Sequence, residues 1–273
     1  MEDNGIKFFN KDGFKLDDAI ELEIEKYIEN IDKVDCNPVG ENVGVINHEH
    51  NALRDYVDYL KSIINVDLTG MKVVLDCANG ASYEVAPTVF KELGANVIDI
   101  NTTPNGKNIN DKCGSTHPEM LQKAVVENKA DLGLAYDGDA DRLIAVDENG
   151  NIVDGDHIMI LSAVYLKKKN QLSNNTLVIT VMTNIGLNVA AREHGINLET
   201  TDVGDRYVIE AMKKGEFNLG GEQSGHMIFS DYNTTGDGVL SSLMLSKIIM
   251  EEKKPLSELA SIMSVYPQVL VNV

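Results

Sequence analysis

The 273-residue chain is short of cations, of pairable cysteines and of long apolar runs, and each shortage removes a class of function. Lysine and arginine number 24 against 43 aspartates and glutamates, a formal net charge of −19. Nucleic acid and anionic membrane both need a basic footprint, so neither is expected as a partner. An anionic substrate would have to be caught by cations placed locally, not by the overall field. The three cysteines, Cys36, Cys77 and Cys113, are widely spaced and form no C-x-x-C pair. They indicate neither a disulfide framework nor a zinc site, and a reducing cytoplasm fits them best. No apolar run approaches the roughly 18 residues of a membrane span, and the acidic start Met1-Glu2-Asp3-Asn4 has no apolar stretch behind it. A cytoplasmic location is the expectation.

What is present suits an ordinary globular protein: 43% of residues are hydrophobic and 25% charged, and the length is that of about two domains. A first segment, 1–47, combines the strand-like Gly5-Ile6-Lys7-Phe8-Phe9 with a charged helix from Leu16 to about Asn30. It is too small to bury a core by itself. Lys72 to Asp76 then reads as a strand, followed by an Asn79-Gly80 turn and a helix capped by Ser82 and closed by Gly94. Asn96 to Ile100 returns as a strand, and a second helix, His117 to Asn128, leads to the apolar run Asp131 to Tyr136. This is a βαβ pattern. An Asn149-Gly150 turn joins antiparallel strands at Leu143–Asp147 and Asn151–Asp154.

The pattern then restarts. A helix from Asp156 to about Asn170 is followed by the strand Thr176 to Val181, a helix capped by Asn184 and closed by Gly195, and a strand at Asn197 to Thr201. The likeness of the two modules is one of pattern only. The expected architecture is α/β, with two consecutive mixed-sheet domains at 48–154 and 155–264, a remnant of a similar domain at 1–47, and the start of a linker at 265–273.

The most informative run is Asp137-Gly138-Asp139-Ala140-Asp141-Arg142, which follows the apolar strand 131–136. Open α/β sheets bind ligands beyond the carboxyl ends of their strands. Three carboxylates at every second residue are hard oxygen donors that select Mg²⁺ or Ca²⁺, and they leave coordination positions for water and phosphate. A solvated Asp-Gly turn is the plain alternative. Against it stands the cost of crowding like charges without a counter-ion. A calcium loop of the EF-hand type fails on Arg142, which stands where that loop needs glycine, and on flanks that read as strands.

Gly220-Gly221-Glu222-Gln223-Ser224-Gly225-His226 places Glu222, Ser224 and His226 on one side if extended, a polar trio suited to hydroxyls and amines. A tight turn is its alternative reading, and a serine-hydrolase elbow is excluded because Glu222, not glycine, lies two residues before Ser224. Gly204-Asp205-Arg206-Tyr207 opens a helix and sets Arg206 near an amino terminus that would welcome an anion. Lys7 is unremarkable in isolation. His48 and His50 lack further ligands nearby and read as surface residues.

Together, Asp137-Gly-Asp-Ala-Asp-Arg142, Thr201-Asp-Val-Gly-Asp-Arg-Tyr-Val208, Gly221-Glu-Gln-Ser-Gly-His226 and Asp231-Tyr-Asn-Thr-Thr-Gly-Asp-Gly238 resemble the α-D-phosphohexomutase family. The Glu-Gln-Ser form resembles its glucosamine branch more than its phosphoglucomutase or phosphomannomutase branches. The resemblance implies interconversion of glucosamine 6-phosphate and glucosamine 1-phosphate through a phosphoserine and a bisphosphorylated intermediate, for amino-sugar and cell-wall precursors. It implies Mg²⁺ held by Asp137, Asp139 and Asp141, with Arg142 at the transferring phosphate, Lys7 as a proton-transfer residue, and Glu222, Ser224, His226 and Arg206 at a hexosamine phosphate. Catalysis would rest on positioning and charge neutralisation.

Family members also carry a Ser-His-Asn-Pro phosphoserine loop before the stretch that Glu2 to Phe9 resembles, and a fourth domain beyond the segment Tyr266 to Val273. On that likeness the isolated chain is expected not to turn over, and to self-associate through apolar surface left uncovered in its first segment. The other function class is a stand-alone module that binds Mg²⁺ and a sugar phosphate.

Overall fold

The computed structural model describes residues 8–33 and 38–269, so Lys7, Cys36 and most of the expected strand Gly5–Phe9 lie outside the described residues. Two compact units divide the chain, 1–52 and 53–273. In the first, Phe9 meets Lys15 in a single antiparallel bridge. Helix α1 (Asp18–Glu29) follows, with Asp17 at its N-cap in an extended conformation. Its apolar residues recur at helical spacing, but Ile20, Leu22, Tyr27 and Ile28 are all exposed, as are Phe8, Phe9, Val45 and Ile46.

Helix α2 (Ala52–Ile64), all but its first residue in the second unit, buries Val57, Leu60 and Ile64 at i, i+3, i+7. Then come β1 (Lys72–Asp76), α3 (Ser82–Glu92), β2 (Asn96–Ile100), α4 (Glu119–Asn128), β3 (Leu132–Tyr136), β4 (Leu143–Asp147) and β5 (Ile152–Val153). They form one sheet of order β2-β1-β3-β4-β5. Strands β2, β1 and β3 run parallel, whereas β3/β4 and β4/β5 are antiparallel. Strands β3 and β4 are buried at every residue, as short apolar runs inside a covered sheet should be. Two expected details shift. Ser82 is the first helical residue, with Ala81 before it in helical backbone and no side-chain cap, and the strand expected at Asn151–Asp154 shrinks to two residues.

A second round gives α5 (Gly155–Lys168), β6 (Thr176–Thr180), α6 (Ile185–Glu193), β7 (Asn197–Thr201), α7 (Asp205–Gly215), β8 (Leu219–Gly221) and β9 (Met227–Phe229). The sheet order is β7-β6-β8-β9, parallel except for the β8/β9 hairpin. The expected cap holds at Asn184, whose Oδ1 accepts from Gly186 N at 3.0 Å; α5 starts one residue earlier than expected, at Gly155, with Asp154 as its cap accepting from His157 N.

The two sheets repeat one plan. In each, a βαβ crossover is followed by a helix and a third parallel strand, which turns back as an antiparallel hairpin. The β3/β4 turn carries the aspartates, and the β8/β9 turn carries Glu222 to His226. Helix α8 (Gly238–Glu252) then runs between the sheets and buries eleven residues, three of them serines. Those hydroxyls satisfy themselves on the helix: Ser241 on Asp237 O, Ser242 on Val239 O and Ser246 on Ser242 O, all at 2.7–2.8 Å. The small side chains admit close approach while costing no unpaired donor. A short helix α9 (Leu256–Ala260) follows. Leu75, Leu134 and Phe90 of the first sheet layer share one hydrophobic core with Leu177, Phe229 and Leu243, each buried side chain of this kind contributing about 1.5–3 kcal/mol. No helix among the described residues is long and apolar enough to cross a membrane.

Candidate metal and sugar-phosphate site

Asp137 leaves β3, Asp139 sits in the turn and Asp141 precedes β4, and one carboxylate oxygen from each lies within 4.8 Å of the others. The convergence is produced by the backbone. Ala140 adopts φ +62°, an uncommon left-handed conformation for a side chain with a Cβ. Asp137 Oδ1 accepts from Arg142 N at 3.1 Å, and Asp137 O accepts from Ala140 N at 3.2 Å. Three other loops grip the turn by its carbonyls: Ser115 N donates to Tyr136 O, Ala81 N to Gly138 O and Gly238 N to Ala140 O, at 2.8–2.9 Å.

The electrostatics match a cation site. Asp137 is 9% exposed. Burial first, then the charges of Asp141 and Asp139, push its carboxyl up to about 7, so the cluster holds more negative charge than its surroundings support. Three hard oxygen donors favour Mg²⁺ or Ca²⁺. Ligands on an octahedral Mg²⁺ at ~2.1 Å stand roughly 3 to 4 Å apart, so the observed trio needs only a small contraction. The residues fit a divalent cation. Arg142, with its side chain 44% exposed, stays 3.9 Å from Asp137 and 3.8 Å from Asp141, which leaves its guanidinium able to reach outward.

The second hairpin comes up against the first. Arg142 and His226 form an antiparallel bridge, and Leu143 N donates to Gly225 O at 3.0 Å. Gly225 has φ +94°, and a Cβ there would lie 2.1 Å from Leu143 O. No residue but glycine satisfies both demands. Gly220 and Gly221 end β8, and Glu222–His226 takes the tight turn of the two readings, not the extended one, because Gly225 N closes on Glu222 O and Glu222 N pairs with His226 O at 3.0 Å. Its polar residues do not share one side. Glu222 is half-buried and its Oε1 accepts from Gly204 N at 2.9 Å, Ser224 is exposed at the tip, and His226 is buried. His226 Nδ1 lies 3.4 Å from Asp141 Oδ2, and Nε2 lies 3.8 Å from Asp205 Oδ2 without a hydrogen bond.

Arg206 does begin α7, at its second residue, and its Nε donates to Glu210 at 2.8 Å along the same helix. Its neighbour Asp205, not singled out by sequence reasoning, is the residue that reaches toward His226. Also missed were Tyr56 and Asp237, which meet 181 residues apart in sequence. Only Asp237 carried a local signal, as an acidic residue before a helix. Lys7 lies outside the described residues. His48 and His50 are exposed, as expected, with rings stacked 6.1 Å apart.

The family domain described as "Phosphoglucomutase/phosphomannomutase, alpha/beta/alpha domain II" matches residues 54–150, and the corresponding domain III matches residues 154–266. A phosphoglucosamine mutase of Clostridioides difficile (strain 630) is 75% identical over 272 residues, which are 100% of this chain and 61% of that protein. One from Thermoanaerobacter sp. (strain X514) is 58% identical over 273 residues, again 100% of this chain and 61% of that protein. The chain thus spans about three fifths of the length of these curated relatives. A phosphoglucomutase/phosphomannomutase family protein of Burkholderia thailandensis superposes with a TM-score of 0.75 at 25% identity, over 93% of this chain and 53% of that one. The N-acetylphosphoglucosamine mutase of Aspergillus fumigatus, solved with GlcNAc-6P and magnesium, gives a TM-score of 0.65 at 20% identity, over 79% and 54% of the two chains, a likeness of fold.

Proposed function

The chain belongs to the phosphoglucomutase/phosphomannomutase family, and from that premise we propose that it supplies the metal-holding and sugar-holding parts of a phosphoglucosamine mutase. The reaction is interconversion of glucosamine 6-phosphate and glucosamine 1-phosphate by way of a phosphoserine and a bisphosphorylated intermediate, in the cytoplasm where such sugar phosphates are kept. One observation carries the reading: the aspartate turn and the Glu-Gln-Ser turn are bonded to each other through Arg142 and His226. A cation-binding loop and a hydroxyl-binding loop are thereby held at fixed spacing, which is the positioning that phosphoryl transfer requires. Each of the two sheets would form one domain of the whole, at 48–154 and 155–264.

Asp137, Asp139 and Asp141 would hold Mg²⁺, which when bound neutralises phosphate charge. Arg142, exposed beside them, would take a phosphate oxygen. Ser224 at the tip would face the sugar, and Glu222, with Oε1 committed to Gly204 N, would offer its second oxygen to a hydroxyl or the amine. His226, between Asp141 and Asp205, would move toward the sugar only with the turn that carries it. Arg206 at the start of α7 would meet the anionic end of the substrate on release from Glu210.

Titration calorimetry of Mg²⁺ into the chain tests this, followed by glucosamine 6-phosphate and its glucose and mannose counterparts. Binding of Mg²⁺ is expected, and it is expected to vanish when the three aspartates become asparagine. At 100 times its Kd the cation should add about 2.7 kcal/mol of stability. Equal uptake by the triple variant would overturn the site, and preference for glucose or mannose phosphate would overturn the glucosamine assignment.

A further inference from the structure

The aspartate turn does not hold its own shape. Ala140 sits in a left-handed conformation and its carbonyl is received by Gly238 N, the first residue of α8, at 2.9 Å. Gly238 comes so close that a Cβ there would be 2.9 Å from Ala140 O and 2.5 Å from Arg142 O. The amino terminus of a 15-residue helix with eleven buried residues therefore presses on the backbone of the aspartate turn. What seats that terminus is Asp237. It is 8% exposed, and its Oδ1 caps α8 by accepting from Leu240 N at 2.9 Å. Its Oδ2 accepts from Tyr56 Oη at 2.5 Å and from Asn233 Nδ2 at 3.0 Å. Tyr56 belongs to α2, which packs Val57, Leu60 and Ile64 into the core and is fixed independently of the loop. Burial first, then the charge of Asp237, raises the Tyr56 phenol far above its ordinary value, so its hydroxyl remains a donor.

We propose that Tyr56 and Asp237 are positioning residues of the cation loop: their hydrogen bond locates the start of α8, and through Gly238 N and Ala140 O it holds the three aspartates in convergence. The inference rests on the reading of those aspartates as a cation site. The side-chain hydrogen bonds of Tyr56 and Asp237 join them to each other, to Asn233 and to Leu240 N, so the effect proposed is transmitted through the backbone of Gly238 and Ala140. Residues that orient metal ligands directly are worth about 10- to 100-fold in affinity. Acting one step further out, Tyr56 belongs at the lower end of that range.

The test is Mg²⁺ titration of the full chain and its Tyr56→Phe variant, with Tyr59→Phe as a matched control. Tyr59 lies one turn along the same helix and gives its hydroxyl to the carbonyl of Tyr232, not to Asp237. Tyr56→Phe is expected to weaken Mg²⁺ about tenfold with its circular dichroism unchanged, and Tyr59→Phe to stay within about twofold of the wild type. Gly238→Ala perturbs the same contact from the other side and is expected to weaken Mg²⁺ at least as much. Wild-type affinity in Tyr56→Phe overturns the proposal, as does an equal loss in Tyr59→Phe, which would mean loosened packing alone. A wild-type chain that takes up no Mg²⁺ overturns the cation reading itself, a separate failure.

Discussion

Asp156 offers a perturbation whose size follows from the geometry. It is wholly buried at the second residue of α5, under the Glu222–Gly225 turn that Gly155 N joins through Gln223 O at 3.1 Å. One oxygen accepts from Asn184 N at 2.8 Å, and the other has no partner. Burial is the main cause that raises its carboxyl from 3.8 to about 6, partly opposed by the Asn184 hydrogen bond. The native chain keeps this proton over a window, about pH 4 to 6, in which the unfolded chain has lost it. Stability from this group is therefore full below pH 4, falls as pH rises through the window, and is level above it. A shift of about two units corresponds to about 3 kcal/mol. Asp156→Asn keeps the acceptor for Asn184 N and carries no charge. It is expected to match the wild type near pH 4 and to exceed it by about 2–3 kcal/mol at pH 7.5. Urea unfolding of both proteins at the two pH values measures the difference. A variant no more stable at pH 7.5 than at pH 4, relative to wild type, would show that this carboxylate is not strained by burial.

Gly225→Ala must leave a φ of +94° or drive a methyl group into Leu143 O. It is expected to cost about 2–4 kcal/mol in urea unfolding and to weaken Mg²⁺ as the hairpins part, and a neutral outcome would show that they are not coupled. Burial pushes the Cys77 thiol up to about 12 and Cys113 up to about 11, so at pH 8 neither is expected to react with Ellman's reagent until the chain is unfolded; prompt labelling of either in folded protein would contradict their burial. The apolar side chains exposed in the first unit, among them Phe8, Ile28, Val45 and Ile46, are expected to drive concentration-dependent self-association in sedimentation velocity, weakened by Ile28→Lys. A strict monomer across a hundredfold concentration range would contradict that.

Much of this molecule is written in local pattern. The strands at Lys72–Asp76, Asn96–Ile100 and Leu143–Asp147 and the cap at Asn184 are legible because a short apolar run bounded by turn residues and an Asx cap each depend on neighbours a few residues away. The aspartate triad is legible for the same reason: its three carboxylates lie within five residues, so one turn suffices to bring them together. Tertiary structure alone decided the rest. Whether residues 220–226 extend or turn depends on Leu143 and Arg142 of another hairpin, and no periodicity in the segment encodes that contact. The link from Tyr56 to Asp237 joins residues 181 apart, and it exists because α8 has no core of its own and must bury its faces between both sheets. Side-chain chemistry along the chain is local and was readable in it; the placing of the aspartate turn against the start of α8 was decided by packing.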